Sequence, residues 1–97
     1  MKIIHRGDST YPKLLSKIKN SPECLYVMGN ESILNSNTIA VIGSRNMTDY
    51  GKEVTKKIVK DLTKAGMCIV SGLAVGIDSV AHRTCLENGG HTIAVLG

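Results

Sequence analysis

Gly43-Ser44-Arg45-Asn46 sets a pliable backbone, a hydroxyl and a guanidinium in consecutive positions, directly after the apolar run Thr38-Ile-Ala-Val-Ile42. Together these groups can hold a phosphate: backbone N–H groups and the positive end of a following helix cradle the charge, and arginine adds a two-pronged charge-assisted bond. Arg45 is the first candidate ligand. A second turn, Ser71-Gly72-Leu73-Ala74-Val75-Gly76-Ile77-Asp78, follows the run Met67-Cys-Ile-Val70 and offers another hydroxyl and two more glycines. If the two runs are neighbouring parallel strands, both turns lie at one sheet edge, which suits a ligand with successive phosphates. The candidate phosphate- or DNA-binding set is Gly43, Ser44, Arg45, Ser71, Gly72 and Lys52, the last because it falls in the first turn of the next helix. Gly76 and Asp78 read better as a tight turn and a helix cap.

Other chemistry finds little support. Gly-x-Gly-x-x-Gly follows none of the apolar runs, and Gly-x-x-x-x-Gly-Lys-Ser/Thr does not occur, so nicotinamide cofactors and P-loop nucleotide hydrolysis are disfavoured. Cys24, Cys68 and Cys85 are odd in number and widely spaced, with no Cys-x-x-Cys, which argues against a disulfide framework and a structural zinc. His82 has no Ser, Cys or carboxylate spaced to make a triad with it, and reads as a structural hydrogen-bonding residue near the loop face. No catalytic residue, cofactor or metal is expected.

The elements that must position the two turns follow from the apolar pattern. From Thr38 onward it alternates strand, helix, strand, helix, strand, with connections too long for hairpins, and a third run, His91-Thr-Ile-Ala-Val-Leu-Gly97, closes it. The expected fold is α/β, a Rossmann-like parallel sheet with a βαβαβ core over 38–97 and right-handed crossovers. The first helix is predicted from about Thr48 to Ala65, with Gly66 as a left-handed cap. Val54, Ile58, Leu62 and Ala65 would form its buried stripe, and Lys52, Lys56, Lys60 and Lys64 would lie about 200° away, in solvent, with Glu53 and Lys57 paired. The second helix is predicted to start near Asp78, capped by that side chain, to bury Ile77, Ala81 and Cys85, and to end at Asn88-Gly89-Gly90. Ahead of this core, residues 1–37 form an extension, with a helix over 10–20 capped by Thr10 and carrying Leu14, Leu15 and Ile18 on one face. A strand over Cys24–Met28 follows, then a polar connection.

At 97 residues the chain is read as a single, incomplete domain, because a doubly wound sheet usually has more strands than this pattern supplies. Twelve Lys and Arg against eight Asp and Glu give a formal charge of +4, which favours an anionic partner without requiring one. With Tyr11, Tyr26 and Tyr50 as the only aromatics, these residues cannot make a platform for stacking several bases. The N-terminus lacks the apolar stretch of a signal peptide and no run is long enough to span a membrane, so a reducing cytoplasmic location is expected.

Five collinear stretches carry a resemblance to a known family. They are Tyr11-Pro-Lys-Leu-Leu-Ser-Lys-Ile18, Ser21-Pro-Glu-Cys-Leu-Tyr-Val-Met-Gly-Asn30, Ile39-Ala-Val-Ile-Gly-Ser-Arg-Asn-Met-Thr-Asp-Tyr-Gly51, Ser71-Gly-Leu-Ala-Val-Gly-Ile-Asp78, and Ala81-His82 continuing to Gly89-Gly-His-Thr-Ile-Ala-Val-Leu-Gly97. In this order they resemble the DNA-processing protein A family (DprA, or Smf). The resemblance implies an extended Rossmann-like domain that binds single-stranded DNA without enzymatic turnover, forms homodimers and helps load RecA in DNA uptake, natural transformation and recombination. It implies Arg45 as the DNA-contacting arginine and Gly43, Ser44, Ser71 and Gly72 as the pocket lining. A different class stays open: the lysine-decarboxylase-like phosphoribohydrolases resemble this pattern and would hold a nucleoside monophosphate there. They typically carry three glycines after the second strand, where this chain has Val70-Ser71-Gly72. A partner-docking scaffold without a ligand pocket is the third reading.

Overall fold

The computed structural model describes residues 1–97, which divide into two compact units, Met1–Ser36 and Asn37–Gly97. In the first, strand β1 (Lys2–His5) pairs antiparallel with β2 (Cys24–Val27), Ile4 opposite Leu25. Strand β1 lies outside the predicted elements. Only Ile4 of its four residues is buried while the adjacent Ile3 is exposed, so no alternating apolar pattern marks the strand. Tyr11 is the other core residue of this unit, its hydroxyl donating to the Pro22 carbonyl at 2.7 Å. The helix expected over 10–20 shrinks to one turn, α1 (Lys13–Ser16), with Pro12 rather than Thr10 at its N-cap position. Leu14 and Ile18 are exposed, so no buried face holds a longer helix together. Instead the Lys13 N–H donates to Asn35 Oδ1 at 2.8 Å, from a short 3-10 turn over Glu31–Asn35.

The second unit has the predicted order: β3 (Thr38–Ala40), α2 (Asp49–Lys64), β4 (Cys68–Ser71), α3 (Ile77–Glu87) and β5 (Thr92–Ala94). The three strands are parallel in the order β3-β4-β5, with Ile39 beside Ile69 and Val70 beside Ile93. The ladder runs one step further at the carboxyl ends, where the Val41 N–H donates to the Val70 carbonyl and the Val95 N–H to the Ser71 carbonyl, each at 2.9 Å. Val59, Ile69, Ala81 and Cys85 are fully buried and define the core, with Val41 and Leu62 packed on it. Ile69 is thus on the helix-covered side, and the strand alternation turns Ala40, Val70 and Ile93 to the other face.

Both helices stop at their carboxyl ends where the sequence predicts. Thr48 caps α2 by accepting the Gly51 N–H at 3.0 Å, Gly66 follows in the left-handed region, and Asn88 and Gly89 terminate α3. The buried stripe of α2 differs. It consists of Thr55, Val59 and Thr63, whereas Ile58 is 49% exposed and Ala65 is exposed. Threonine can face a core because its hydroxyl bonds back along its own helix, as Thr55 Oγ1 does to the Gly51 carbonyl at 2.8 Å, leaving its methyl to pack. The helix is therefore rotated by about one residue, roughly 100°. No helix is long and apolar enough to cross a membrane.

Candidate functional site

The turns after β3 and β4 stand side by side at the carboxyl edge of the sheet, because parallel neighbours deliver their ends to the same side. What joins them is Asp78, and not in the role of helix cap. The N-cap position of α3 is Gly76, with no side-chain cap bond. The Asp78 carboxylate, 7% exposed, instead accepts the Gly43 N–H on Oδ1 at 3.3 Å and the Gly72 N–H on Oδ2 at 3.2 Å. Two amides expected to face a phosphate thus already hold an anion supplied by the protein.

Ser71 is likewise committed. It is 3% exposed and its hydroxyl donates to the Val41 carbonyl at 2.6 Å, tying β4 to β3. Gly76 and Ile77 bring the start of α3 against the first turn: the Ile77 N–H donates to the Ser44 carbonyl at 3.2 Å, and a Cβ at Gly76 would lie 2.7 Å from the Arg45 carbonyl oxygen. Gly43 is equally tight, since a Cβ there would lie 2.7 Å from Ile77 Cγ2. Gly43, Ser71 and Gly72 accordingly build and brace the edge.

The groups that face outward are Ser44, Arg45 and Lys52. The Ser44 hydroxyl accepts the Asn46 N–H at 3.0 Å, which shapes the turn and leaves the O–H hydrogen available. The Arg45 guanidinium is exposed and makes no hydrogen bond or ion pair within the chain, and the Lys52 ammonium makes none either. Lys52 follows Gly51, where a Cβ would come within 3.7 Å of the same Ile77 that contacts Gly43, so the first turn of α2 adjoins the Gly43 turn. One guanidinium, one ammonium, a hydroxyl and a braced loop are groups whose chemistry suits an oxyanion.

Sequence reasoning passed over Asp78 as a bridge, although one signal was visible: a lone carboxylate six residues after a glycine turn in an otherwise apolar helix start. His82, one turn further along α3, is buried as expected of a structural residue. Its Nδ1–H donates to Thr92 Oγ1 at 2.7 Å, and Thr92 donates onward to the Ile69 carbonyl at 2.7 Å, which assigns the tautomer and leaves Nε2 buried without a partner. Burial pushes the imidazole below its ordinary value of 6.5, against the opposing pull of the Asp78 charge and the Ser71 backbone, which favour the cation. A lowered histidine is neutral in the fold while the unfolded chain still takes up the proton. Its contribution to stability is complete above about pH 6.5 and declines as pH falls through and below that value. Urea unfolding at stepped pH is expected to show this loss in the wild type and a weaker one in His82→Gln; equal pH profiles would remove His82 as the cause.

A sequence model of the DNA recombination-mediator protein A family matches residues 2–97. Protein Smf of Synechocystis is 46% identical over 94 residues, covering 93% of this chain and 24% of that protein. DNA processing protein DprA of Streptococcus pneumoniae is 43% identical over 90 residues, covering 93% of this chain and 32% of that protein. The crystal structure of the pneumococcal protein superposes with a TM-score of 0.92 at 40% identity, over 98% of this chain and 33% of that one. A structure concerned with the single-stranded DNA binding mode of Helicobacter pylori DNA processing protein A superposes with a TM-score of 0.82 at 31% identity, over 98% of this chain and 41% of that one. The chain thus spans about a quarter to a third of the length of its curated relatives.

Proposed function

Since the chain belongs to the DNA recombination-mediator protein A family, DprA/Smf, we propose that it is a non-enzymatic module that binds single-stranded DNA at the β3 and β4 edge. The observation that carries the reading is Arg45: an exposed guanidinium without an internal partner, on a turn whose backbone is held from behind by Asp78 and Gly76. An arginine held ready in this way recognises phosphate with two parallel bonds, and Ser44 and Lys52 add a hydroxyl donor and a second charge. Gly43, Ser71 and Gly72 take part by setting the shape of the pocket. The relative from Helicobacter pylori, described as binding single-stranded DNA, supports the choice of ligand.

Within the longer protein we place this module in DNA uptake, natural transformation and recombination in the cytoplasm, acting as a homodimer that helps deliver single strands to RecA. Binding through phosphates predicts strong salt dependence and little sequence preference. The test is a salt titration of fluorescence anisotropy with single-stranded DNA, duplex DNA and a nucleoside monophosphate. Arg45→Ala is expected to weaken single-strand binding by about 10- to 100-fold, the equivalent of one charge-assisted hydrogen bond of about 1.5–3 kcal/mol. Unchanged affinity in Arg45→Ala would remove Arg45 from the site, and release of free base from the monophosphate would make the chain an enzyme.

A further inference from the structure

Rotation of α2 by one residue changes the meaning of its lysine row. With Thr55, Val59 and Thr63 turned inward, Lys52, Lys56 and Lys60 lie about 60° from the buried stripe instead of opposite it. They therefore border the seam with α3, and the seam is open: a cleft of about 410 Å³ is lined by these three lysines from α2 and by Arg83, Glu87 and Asn88 among the α3 side. Four cations face one carboxylate. Lys52, Lys60 and Arg83 make no ion pair at all, and Lys56 has only a long contact of 3.9 Å to Glu53, on its own helix. Elsewhere on α2 the exposed Lys57 is neutralised by Asp61 at 3.1 Å. Unpaired like charges gathered in one concave seam repel each other, and a bound polyanion relieves that repulsion.

We propose that the α2/α3 cleft is a second binding track for a phosphodiester backbone, continuing from the loop site through Lys52. This rests on the reading of the loop edge as a single-strand site and extends it. From Lys52 to Lys60 the track runs eight residues of helix, about 12 Å, long enough for about two to four phosphates at a spacing near 3.4 Å or somewhat more. The cleft offers charge and the Asn88 amide, with no aromatic side chain, so it reads backbone and not base identity. Arg83 is a ligand of this track.

The test uses the 97-residue chain and two thymidine oligonucleotides, one of about 5 and one of about 20 nucleotides, bracketing the usual site sizes. The double variant Lys60→Gln/Arg83→Gln removes two exposed cations from the cleft and leaves the loop intact. Expected for the longer strand is a fall of about 1.4 in the slope of log K against log salt, with about tenfold weaker binding, while the shorter strand is held as before. Lys57→Gln/Lys64→Gln, of equal charge change but outside the cleft, is expected to change the slope far less. Unchanged binding of the long strand in the cleft variant overturns the proposal, as do equal losses for both lengths or equal losses in the control pair. So does a polyglutamate that binds the cleft when the long oligonucleotide does not, which would make it an acidic-protein surface. Arg45→Ala in the same titration keeps the two readings apart. If it leaves both strands unaffected while the cleft variant weakens the long one, the loop assignment falls and the track stands.

Discussion

Gly76→Ala is expected to lower folding stability by about 2–5 kcal/mol, a large share of the roughly 5–15 kcal/mol that holds a domain together. Two costs combine. Gly76 has φ of +85°, where an L side chain is strained by about 1–2 kcal/mol. Its Cβ would also press on the Ser44 carbonyl oxygen and lie 2.7 Å from the Arg45 carbonyl oxygen and 2.8 Å from Arg45 Cα. These are backbone atoms and cannot swing aside as a side-chain tip would. Relief requires the β3 turn to move, which breaks the bond from the Ile77 N–H to the Ser44 carbonyl and displaces Arg45. Gly66→Ala is the internal control, because Gly66 has nearly the same φ, +87°, with nothing within 4 Å of a Cβ. It should lose only the conformational cost. In thermal melts followed by circular dichroism each kcal/mol corresponds to roughly 4–8 °C for a domain of this size. Equal losses at both positions would show that the close approach at Gly76 adds nothing.

The second large effect is expected at Asp78, where replacement by alanine should cost about 2–3 kcal/mol in urea unfolding. The carboxylate is the shared acceptor for Gly43 and Gly72, so its removal strands two amide donors in adjacent turns and leaves a cavity beneath them. Asp78→Asn should fall between. An amide can accept from one of the two N–H groups through its oxygen, and its NH₂ then faces the other donor. Amide hydrogen exchange gives the local readout: Gly43 and Gly72 should exchange faster in Asp78→Ala, while Ile69, in the centre of the sheet, slows or speeds only with global stability. Unaltered exchange at both glycines, with stability unchanged, would mean that the bridge contributes nothing to the turns.

Much of the fold was legible because its signals are local. Continuous apolar runs of strand length, with Gly66 and Gly89 as helix stops, specify a parallel sheet with two crossover helices, and both glycines lie in the left-handed region as stops require. The misses have one physical source, in that each depends on a partner distant in sequence. β1 exists because β2 pairs with it across some twenty residues, and nothing in Lys2–His5 alone demands a strand. The expected long helix over 10–20 had the right local periodicity but no surface to bury Leu14 and Ile18.

The candidate site divides in the same way. Residue type and position after a strand were enough to single out Ser44, Arg45 and Lys52, since an arginine on a glycine turn needs no tertiary information to be a phosphate candidate. Which of the neighbouring donors are available is a different matter. Gly43, Ser71 and Gly72 have the same local chemistry whether their polar groups face a ligand or the protein, and only the fold brings Asp78 and Val41 to them. The lysine row shows the limit most plainly. Its four-residue spacing was visible from the sequence, but its direction depended on which stripe of α2 is buried, and two threonines turned inward, only Thr55 with its hydroxyl bonded back along the helix, reversed the apparent polarity of that face. Sequence alone thus determined the three parallel strands, the stops of the two long helices and the exposed arginine, through interactions within a few residues. Tertiary structure decided the bracing of the turns and the gathering of Lys52, Lys56 and Lys60 beside Arg83 in one cleft, because burial and charge proximity depend on elements that meet only in the folded chain.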